Sequence, residues 1–254
     1  MPSFVFYMFF LATFVSATWL EGRENSTTAV NSFIQDFAKG HESFKTVYFK
    51  DHEQDFMRLV KEGQSPKVLF IGCSDSRVVP DLILSTNPGD LFVIRTAGNF
   101  VPTYNPSIPW DGVAATIQYA VEVLGVSEII VCGHSHCGAI KGLFESKKDA
   151  KLLEILTSWL GFGEQAKKLT LLSLKSKSTT PKERDDLAGH LSVIYQLEHL
   201  LSFPFVKQKV ESQKIFLHGW YFTIESGEME YFDSKTYQFF PLSQFSSNPK
   251  GQGT

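Results

Sequence analysis

The stretch KVLFIGCSD, residues 67–75, decides the fold class. It is a short apolar run bounded by Pro66 and by a polar turn, which is typical of a strand buried on both faces of a parallel sheet. Cys73, Asp75 and Arg77 follow at alternating positions. A thiol, a carboxylate and a guanidinium therefore stand where a buried strand is predicted to end.

The same pattern recurs further along the chain. Leu91–Ile94 follows a Pro-Gly turn, and residues 128–134 form another apolar run that leads into a tight turn. Between them, residues 113–124 carry apolar side chains at helical spacing up to Gly125. Because strands alternate with helices, the sequence predicts an α/β fold with a mostly parallel central sheet flanked by helices. Two later strand patterns flank residues 225–228 and predict a C-terminal hairpin with an antiparallel edge strand.

The composition is that of a globular protein without a basic surface. Of the 254 residues, 43% are hydrophobic and 20% are charged, and the net charge is −3. We therefore expect no nucleic-acid partner. We expect one domain over residues 25–246, which begins with helical segments rich in spaced aromatic residues, and a flexible tail over residues 247–254.

The N-terminal segment, residues 1–24, differs from the rest. Phe4–Leu20 is uncharged and largely apolar, and small residues allow signal-peptide cleavage after Ala17, although a basic n-region is missing. The alternatives are an uncleaved anchor, a misassigned start, or a helix that packs on a partner subunit. A signal peptide over residues 1–17 predicts a periplasmic or secreted protein; otherwise we expect a cytoplasmic one, with membrane contact only if the segment stays uncleaved.

The cysteines do not indicate disulfide bonds, and two of the three point to chemistry. An odd and sparse count is no disulfide framework. Cys132 lies within an apolar run and is predicted to be a core residue. Cys73 and Cys137 stand in short polar motifs instead.

Cys73, His134 and Cys137 could supply three ligands to one metal ion. Two thiolates and an imidazole suit zinc, and the spacing of His134 and Cys137 lets both converge from one turn. Because parallel strands end at the same edge of a sheet, Cys73 would approach from the neighbouring strand. Three protein ligands leave a fourth position open, as in catalytic sites.

Asp75 has two alternative roles in this arrangement. It could be the fourth ligand of a closed metal site, or it could pair with Arg77 and leave the fourth position to water. A bidentate pair of guanidinium and carboxylate competes strongly for that carboxylate. We favour the pair at neutral pH and above.

The motifs CSDSR (73–77) and GHSHCGAIKG (133–142) resemble those of the β-class carbonic anhydrases. The blocks PGDLFVIRTAGN and LHGWYFTIESG resemble the family in the same order, so the likeness covers roughly Ala29 to Leu242. The segment GQSPK (63–67) is similar to the plant-type branch of that family.

The resemblance implies a lyase that hydrates carbon dioxide reversibly to bicarbonate and a proton, by attack of zinc-bound hydroxide. It implies one Zn²⁺ per subunit, held by Cys73, His134 and Cys137, and a catalytic dyad of Asp75 and Arg77. It also implies self-association as a dimer or larger homo-oligomer, in which Gln64 of the GQSPK segment reaches across the subunit interface to hold the substrate. The substrate-binding positions that match the family are Gln64, Phe92, Ala97, Tyr119 and Gly138.

Two other functions fit the same ligand set. One is a hydrolase of carbon disulfide or carbonyl sulfide on the same scaffold, which would differ in access to the pocket. The other is a non-catalytic zinc or thiol module, in which Cys73 and Cys137 form a redox switch. Such a module needs neither Asp75 nor Arg77, and their presence argues against it.

Overall fold

The computed structural model describes residues 27–108, 111–145, 153–175 and 178–247. The chain contacts divide these residues into two compact units, one up to Glu62 and one from Gly63 onward. The predicted N-terminal signal or anchor and almost all of the predicted tail lie outside the described residues. Within them, no helix has the length and apolar character needed to span a membrane.

The first unit is helical, as the spaced aromatics predict. It comprises α1 (Thr27–Ser43), a π-helical stretch (Phe44–Phe49) and α2 (Glu53–Glu62). Phe56 stands edge-on to Phe44, with 6.1 Å between ring centroids, so the two helical segments contact through aromatic rings. Several large apolar side chains of this unit remain exposed: Phe33, Ile34, Phe37, Val47, Met57 and Val60.

The second unit is built on one six-stranded sheet, and it confirms the predicted α/β fold. The strands run in the order β2-β1-β3-β4-β5-β6, with the first four parallel and the last two antiparallel. The final strand is not anticipated by the sequence, because four residues are too few to show an alternating pattern. The bounds are β1 Val68–Cys73, β2 Leu91–Thr96, β3 Glu128–His134, β4 Phe216–Thr223, β5 Glu228–Asp233 and β6 Gln238–Pro241.

Helices connect and cover the strands. The helix predicted before Gly125 begins with Asp111, whose side chain accepts hydrogen bonds from two backbone N–H groups, and it ends with Gly125 in the left-handed region. Its last turn, Tyr119–Leu124, is π-helical. The helices of this unit are α3 Pro80–Leu84, α4 Gly112–Gln118, α5 Gly138–Gly142, α6 Glu154–Leu160, α7 Glu164–Leu174, α8 Pro181–Leu201 and α9 Pro204–Glu211.

The central strands are buried on both faces. In β3, Ile129 and Val131 belong to a core that includes residues of α8 and α9, while Ile130 and Cys132 belong to a second core on the opposite face. The alternation follows from the period of two in a strand. Cys132 is 1% exposed, which confirms it as a core residue, and burial raises the pKa of its thiol to about 12.

The register of the strands positions the functional side chains. Gly72 of β1 pairs with Cys132 of β3, so Cys73 and His134 follow at neighbouring strand ends. On its other side Cys73 pairs with Thr96, the last residue of β2. The carboxyl ends of three adjacent strands therefore meet at one edge of the sheet, where sites form in parallel α/β folds.

Candidate metal centre

Cys73, His134 and Cys137 come together in one buried cluster. Cys73 ends β1, His134 ends β3, and Cys137 immediately precedes α5. Their potential ligand atoms all lie within 4.8 Å of one another, and the two sulfur atoms are 4.0 Å apart. The structure therefore brings the three side chains close enough to share one ion.

The His134 ring is oriented for coordination. Its Nδ1 lies 2.8 Å from the backbone oxygen of Ser135. Because a carbonyl oxygen only accepts, Nδ1 carries the hydrogen, and Nε2 keeps its lone pair. Nε2 is buried and has no hydrogen-bond partner among the described residues. A buried acceptor without a partner is costly, and a cation in the cluster would satisfy it.

The sulfur atoms of Cys73 and Cys137 lie within hydrogen-bonding distance of each other. The hydrogen bond from Cys137 lowers the pKa of Cys73 to about 4, and burial opposes this shift. The same contact, together with burial, raises the pKa of Cys137. Two cysteine sulfurs and an imidazole nitrogen fit a divalent cation, because such an ion binds cysteine as the thiolate and displaces the protons of the thiols.

Asp75 and Arg77 form the predicted pair beside the cluster. Arg77 donates from Nε to Oδ1 at 2.9 Å and from Nη2 to Oδ2 at 2.8 Å. These hydrogen bonds hold the pKa of Asp75 well below its usual value. Oδ2 also lies 3.9 Å from Nε2 of His134. The carboxylate therefore faces the ligand cluster while both of its oxygens are engaged by the guanidinium.

Arg95 is a site residue that the sequence analysis missed. From the end of β2 it donates Nε to the carbonyl of Cys73 at 3.0 Å and Nη2 to the carbonyl of Asp75 at 2.6 Å. It fixes the backbone that carries both side chains. The available signal was a single charged residue in the otherwise apolar strand pattern LFVIRT.

Gly98 supports the cluster through its backbone. Its N–H donates to the sulfur of Cys73 at 3.4 Å, and its φ is +78°. A Cβ at this position would lie 2.8 Å from Cβ of Ala139. Only glycine meets both conditions without strain.

The remaining predicted positions lie in different places. Gly138 is exposed at the start of α5, next to Cys137. Ala97 directly follows β2, and its carbonyl accepts a hydrogen bond from the indole of Trp159 at 2.8 Å.

Gln64, Phe92 and Tyr119 lie away from the ligand cluster of their own chain. Phe92 pairs with Leu69, four residues before Cys73, which is about 13 Å along the strand. The ring of Tyr119 is 5.9 Å from that of Phe92, and Gln64 is exposed ahead of β1. A single chain therefore does not gather the predicted substrate pocket.

The carbonic anhydrase family model matches residues 68–229, which include the whole cluster. The chain is 40% identical to a carbonic anhydrase of Pseudomonas aeruginosa, over 83% of this chain and 93% of that protein. The solved β-carbonic anhydrase CcaA superposes with a TM-score of 0.77 at 36% identity, over 83% of this chain and 92% of that one.

The chain belongs to the β-class carbonic anhydrases. It catalyses the hydration of carbon dioxide, and its Cys-His-Cys cluster is a metal site. A carbonic anhydrase of Synechocystis is 37% identical over 81% of this chain and 73% of that protein. These matches give no support to a carbon disulfide hydrolase or to a non-catalytic thiol module.

Gly98→Ala is expected to lower the free energy of unfolding by about 2 kcal/mol or more. Alanine would have to adopt the left-handed backbone conformation of Gly98, and its Cβ would overlap a neighbouring side chain. Denaturant unfolding at one fixed protein concentration measures the change. Gly112→Ala is the matched control, since a Cβ there meets no atom within 4 Å. Equal stability of the two variants would show that Gly98 is not constrained.

Proposed function

We propose that Cys73, His134 and Cys137 bind one Zn²⁺ per chain and that the protein is a zinc-dependent carbonic anhydrase. The observation that carries this proposal is the orphaned Nε2 of His134, buried within 4.8 Å of two cysteine sulfur atoms. Sulfur and imidazole ligands in a set of three match catalytic zinc sites. Metal analysis of the purified protein tests it directly: we expect about one zinc per chain, and loss of that zinc in Cys73→Ser.

Cys73, His134 and Cys137 would hold the zinc ion, which would supply Lewis acidity and lower the pKa of a water molecule toward neutral pH. The chain contributes the orientation of that water. Asp75 is ionised and directs Oδ2 toward the cluster, so it can accept a hydrogen bond from a water molecule there and orient it.

Arg77 decides how Asp75 is used. By occupying both carboxylate oxygens, the guanidinium keeps the carboxylate from becoming a fourth ligand. It also donates to the backbone oxygen of His136 at 3.2 Å, which ties the dyad to the turn between the ligands His134 and Cys137. The open site is therefore the one favoured by this geometry.

Arg77→Ala is expected to lower kcat/KM for carbon dioxide hydration by about 10- to 100-fold, because Asp75 becomes free to coordinate. Zinc content should stay near that of the unmodified protein. Stopped-flow hydration assays with parallel metal analysis measure both quantities. Arg77→Lys keeps the charge but loses the two-point contact, so an intermediate rate is expected; full activity of Arg77→Ala would contradict the assignment.

The rate of hydration is expected to rise with pH from neutral into mildly alkaline solution. Zinc held by two thiolates and one imidazole would acidify water less than the all-histidine sites at which the pKa of the water is about 7, so hydroxide would become available at higher pH. Asp75 does not contribute to this rise. Because its pKa is depressed, the carboxyl group is fully ionised at neutral pH and is protonated only in acid, below the usual pKa of an aspartate. A profile of kcat/KM against pH that is flat across this range would contradict the mechanism.

We also propose that two copies of the chain complete each active site. Gln64, Phe92 and Tyr119 match substrate-binding positions of the family but lie far from Cys73 in the same chain. Strand β2 is an edge of the sheet, and Val93 on it is exposed. The helical unit also leaves apolar side chains exposed. A β-carbonic anhydrase from Sordaria macrospora, one of two described as tetrameric, superposes with a TM-score of 0.69 at 28% identity, over 79% of this chain and 96% of that one.

Subunit complementation tests the shared site. A heterodimer of one Cys73→Ser chain and one Gln64→Ala chain, isolated with two different tags, is expected to have about half the activity of the unmodified dimer. One of its two sites then combines intact metal ligands with an intact Gln64 from the other chain. If Gln64 serves its own chain, the heterodimer has no intact site and stays as inactive as the two parent homodimers.

A further inference from the structure

Glu225 lies in the turn between β4 and β5, outside the two motifs that carry the ligands and the Asp75–Arg77 pair. Its carboxylate is nevertheless the meeting point of three separate segments. Oε2 accepts the hydroxyl hydrogen of Ser135 at 2.6 Å. Oε1 lies 3.2 Å from Nε2 of His136 and 3.1 Å from Nζ of Lys182. Ser135 and His136 are the two residues between the ligands His134 and Cys137.

The contact with Ser135 continues to the ring of His134. Ser135 is 1% exposed, and its hydroxyl both donates to Glu225 and accepts the N–H of Ile224 at 2.9 Å. Its backbone N–H donates to the carbonyl of Phe222 in β4. Its own carbonyl receives Nδ1 of His134. The orientation of the imidazole therefore depends on a residue that is held on three sides.

The contact with His136 stabilises an unusual backbone conformation. His136 has a φ of 56°, in the left-handed region that side chains other than glycine rarely adopt. Its carbonyl accepts a hydrogen bond from Arg77 and its ring contacts Glu225. The residue with the strained backbone, in the turn that brings His134 and Cys137 together, is therefore held by two contacts, one at its carbonyl and one at its ring.

Lys182 anchors the carboxylate to a third element. It stands in the first turn of α8, where the helix dipole disfavours a positive charge. Its Nζ contacts Asp186 at 2.6 Å and Glu225 at 3.1 Å, and these contacts raise its pKa. The ion pairs offset the unfavourable position, so the ligand loop, the hairpin and α8 share one charged junction.

We propose that Glu225 is a positioning residue that fixes the Ser135–His136 turn and thereby slows the loss of the metal ion. The inference rests on the metal site proposed above. Side chains that orient metal ligands commonly account for about 10- to 100-fold in metal affinity. Glu225 makes no contact with the metal ligands themselves among the described residues, and it acts on them through the turn that joins two of the three.

The test is the rate at which zinc leaves the holoenzyme. Zinc transfer to the dye 4-(2-pyridylazo)resorcinol is followed for the unmodified protein and for Glu225→Ala, Glu225→Gln and Glu228→Ala. We expect Glu225→Ala to release zinc about tenfold faster. Glu225→Gln keeps an oxygen that accepts the hydrogen bond from Ser135. It should therefore release zinc faster than the unmodified protein but more slowly than Glu225→Ala. Glu228→Ala removes an exposed carboxylate of the same hairpin and should match the unmodified protein.

A spectroscopic measurement separates positioning from general stability. With cobalt(II) in place of zinc, the absorption bands report ligand geometry, and we expect Glu225→Gln and Glu225→Ala to shift them while Glu228→Ala does not. If Glu225→Ala does not fold, the Glu225→Gln spectrum and release rate decide the question. Release at the unmodified rate with unchanged bands would overturn the proposal, and so would equal acceleration in Glu228→Ala.

The outcomes also separate this proposal from the function it rests on. An unmodified protein that binds no zinc would refute the metal site and the role of Glu225 together. An unmodified protein that binds one zinc, with Glu225 variants that release it at the same rate, would refute only the positioning role.

Discussion

The pairing of β1 with β3 is the constraint on which the active site depends. Their parallel register places Cys73 and His134 at neighbouring strand ends. Parallel strands end together, so two residues 61 positions apart reach one point without either loop having to bend far. The third ligand, Cys137, then needs only the tight turn after β3. The parallel sheet therefore brings motifs that are far apart in the sequence together in one metal centre.

Electrostatics limits what this edge of the sheet can hold. Two cysteine sulfurs and the carboxylate of Asp75 lie close together, and like charges at that separation raise one another's pKa. The positive charge of Arg77 offsets this, so Asp75 remains ionised beside a thiolate. The same guanidinium blocks direct coordination by the carboxylate. Arg77 therefore both stabilises the charge of the Asp75 carboxylate and leaves that carboxylate free to bind water instead of the metal ion.

The sequence predicts the parts of this structure that depend on local pattern. Buried parallel strands are apolar throughout, and the ligands follow them directly, so strands, ligands and the Asp75–Arg77 contact could all be inferred from short stretches. Arg95 and Glu225 could not, because their partners lie 20 or more residues away and depend on strand order. The substrate positions were inferred only from family resemblance, since Phe92 and Tyr119 do not lie beside the ligand cluster of their own chain.

The two residues that escaped prediction have related physical roles. Arg95 binds carbonyls at the end of β1 and just after it, and Glu225 binds the turn that follows β3, so each ligand-bearing segment has its own charged anchor from a neighbouring strand or hairpin. Charge-assisted hydrogen bonds of this kind are stronger and more directional than neutral ones. The anchors lie on opposite sides of the β1 and β3 pair, and the hydrogen bond from Arg77 to the carbonyl of His136 joins the two loops between them. Both loops that carry the ligands are thus held by charged side chains of the protein itself.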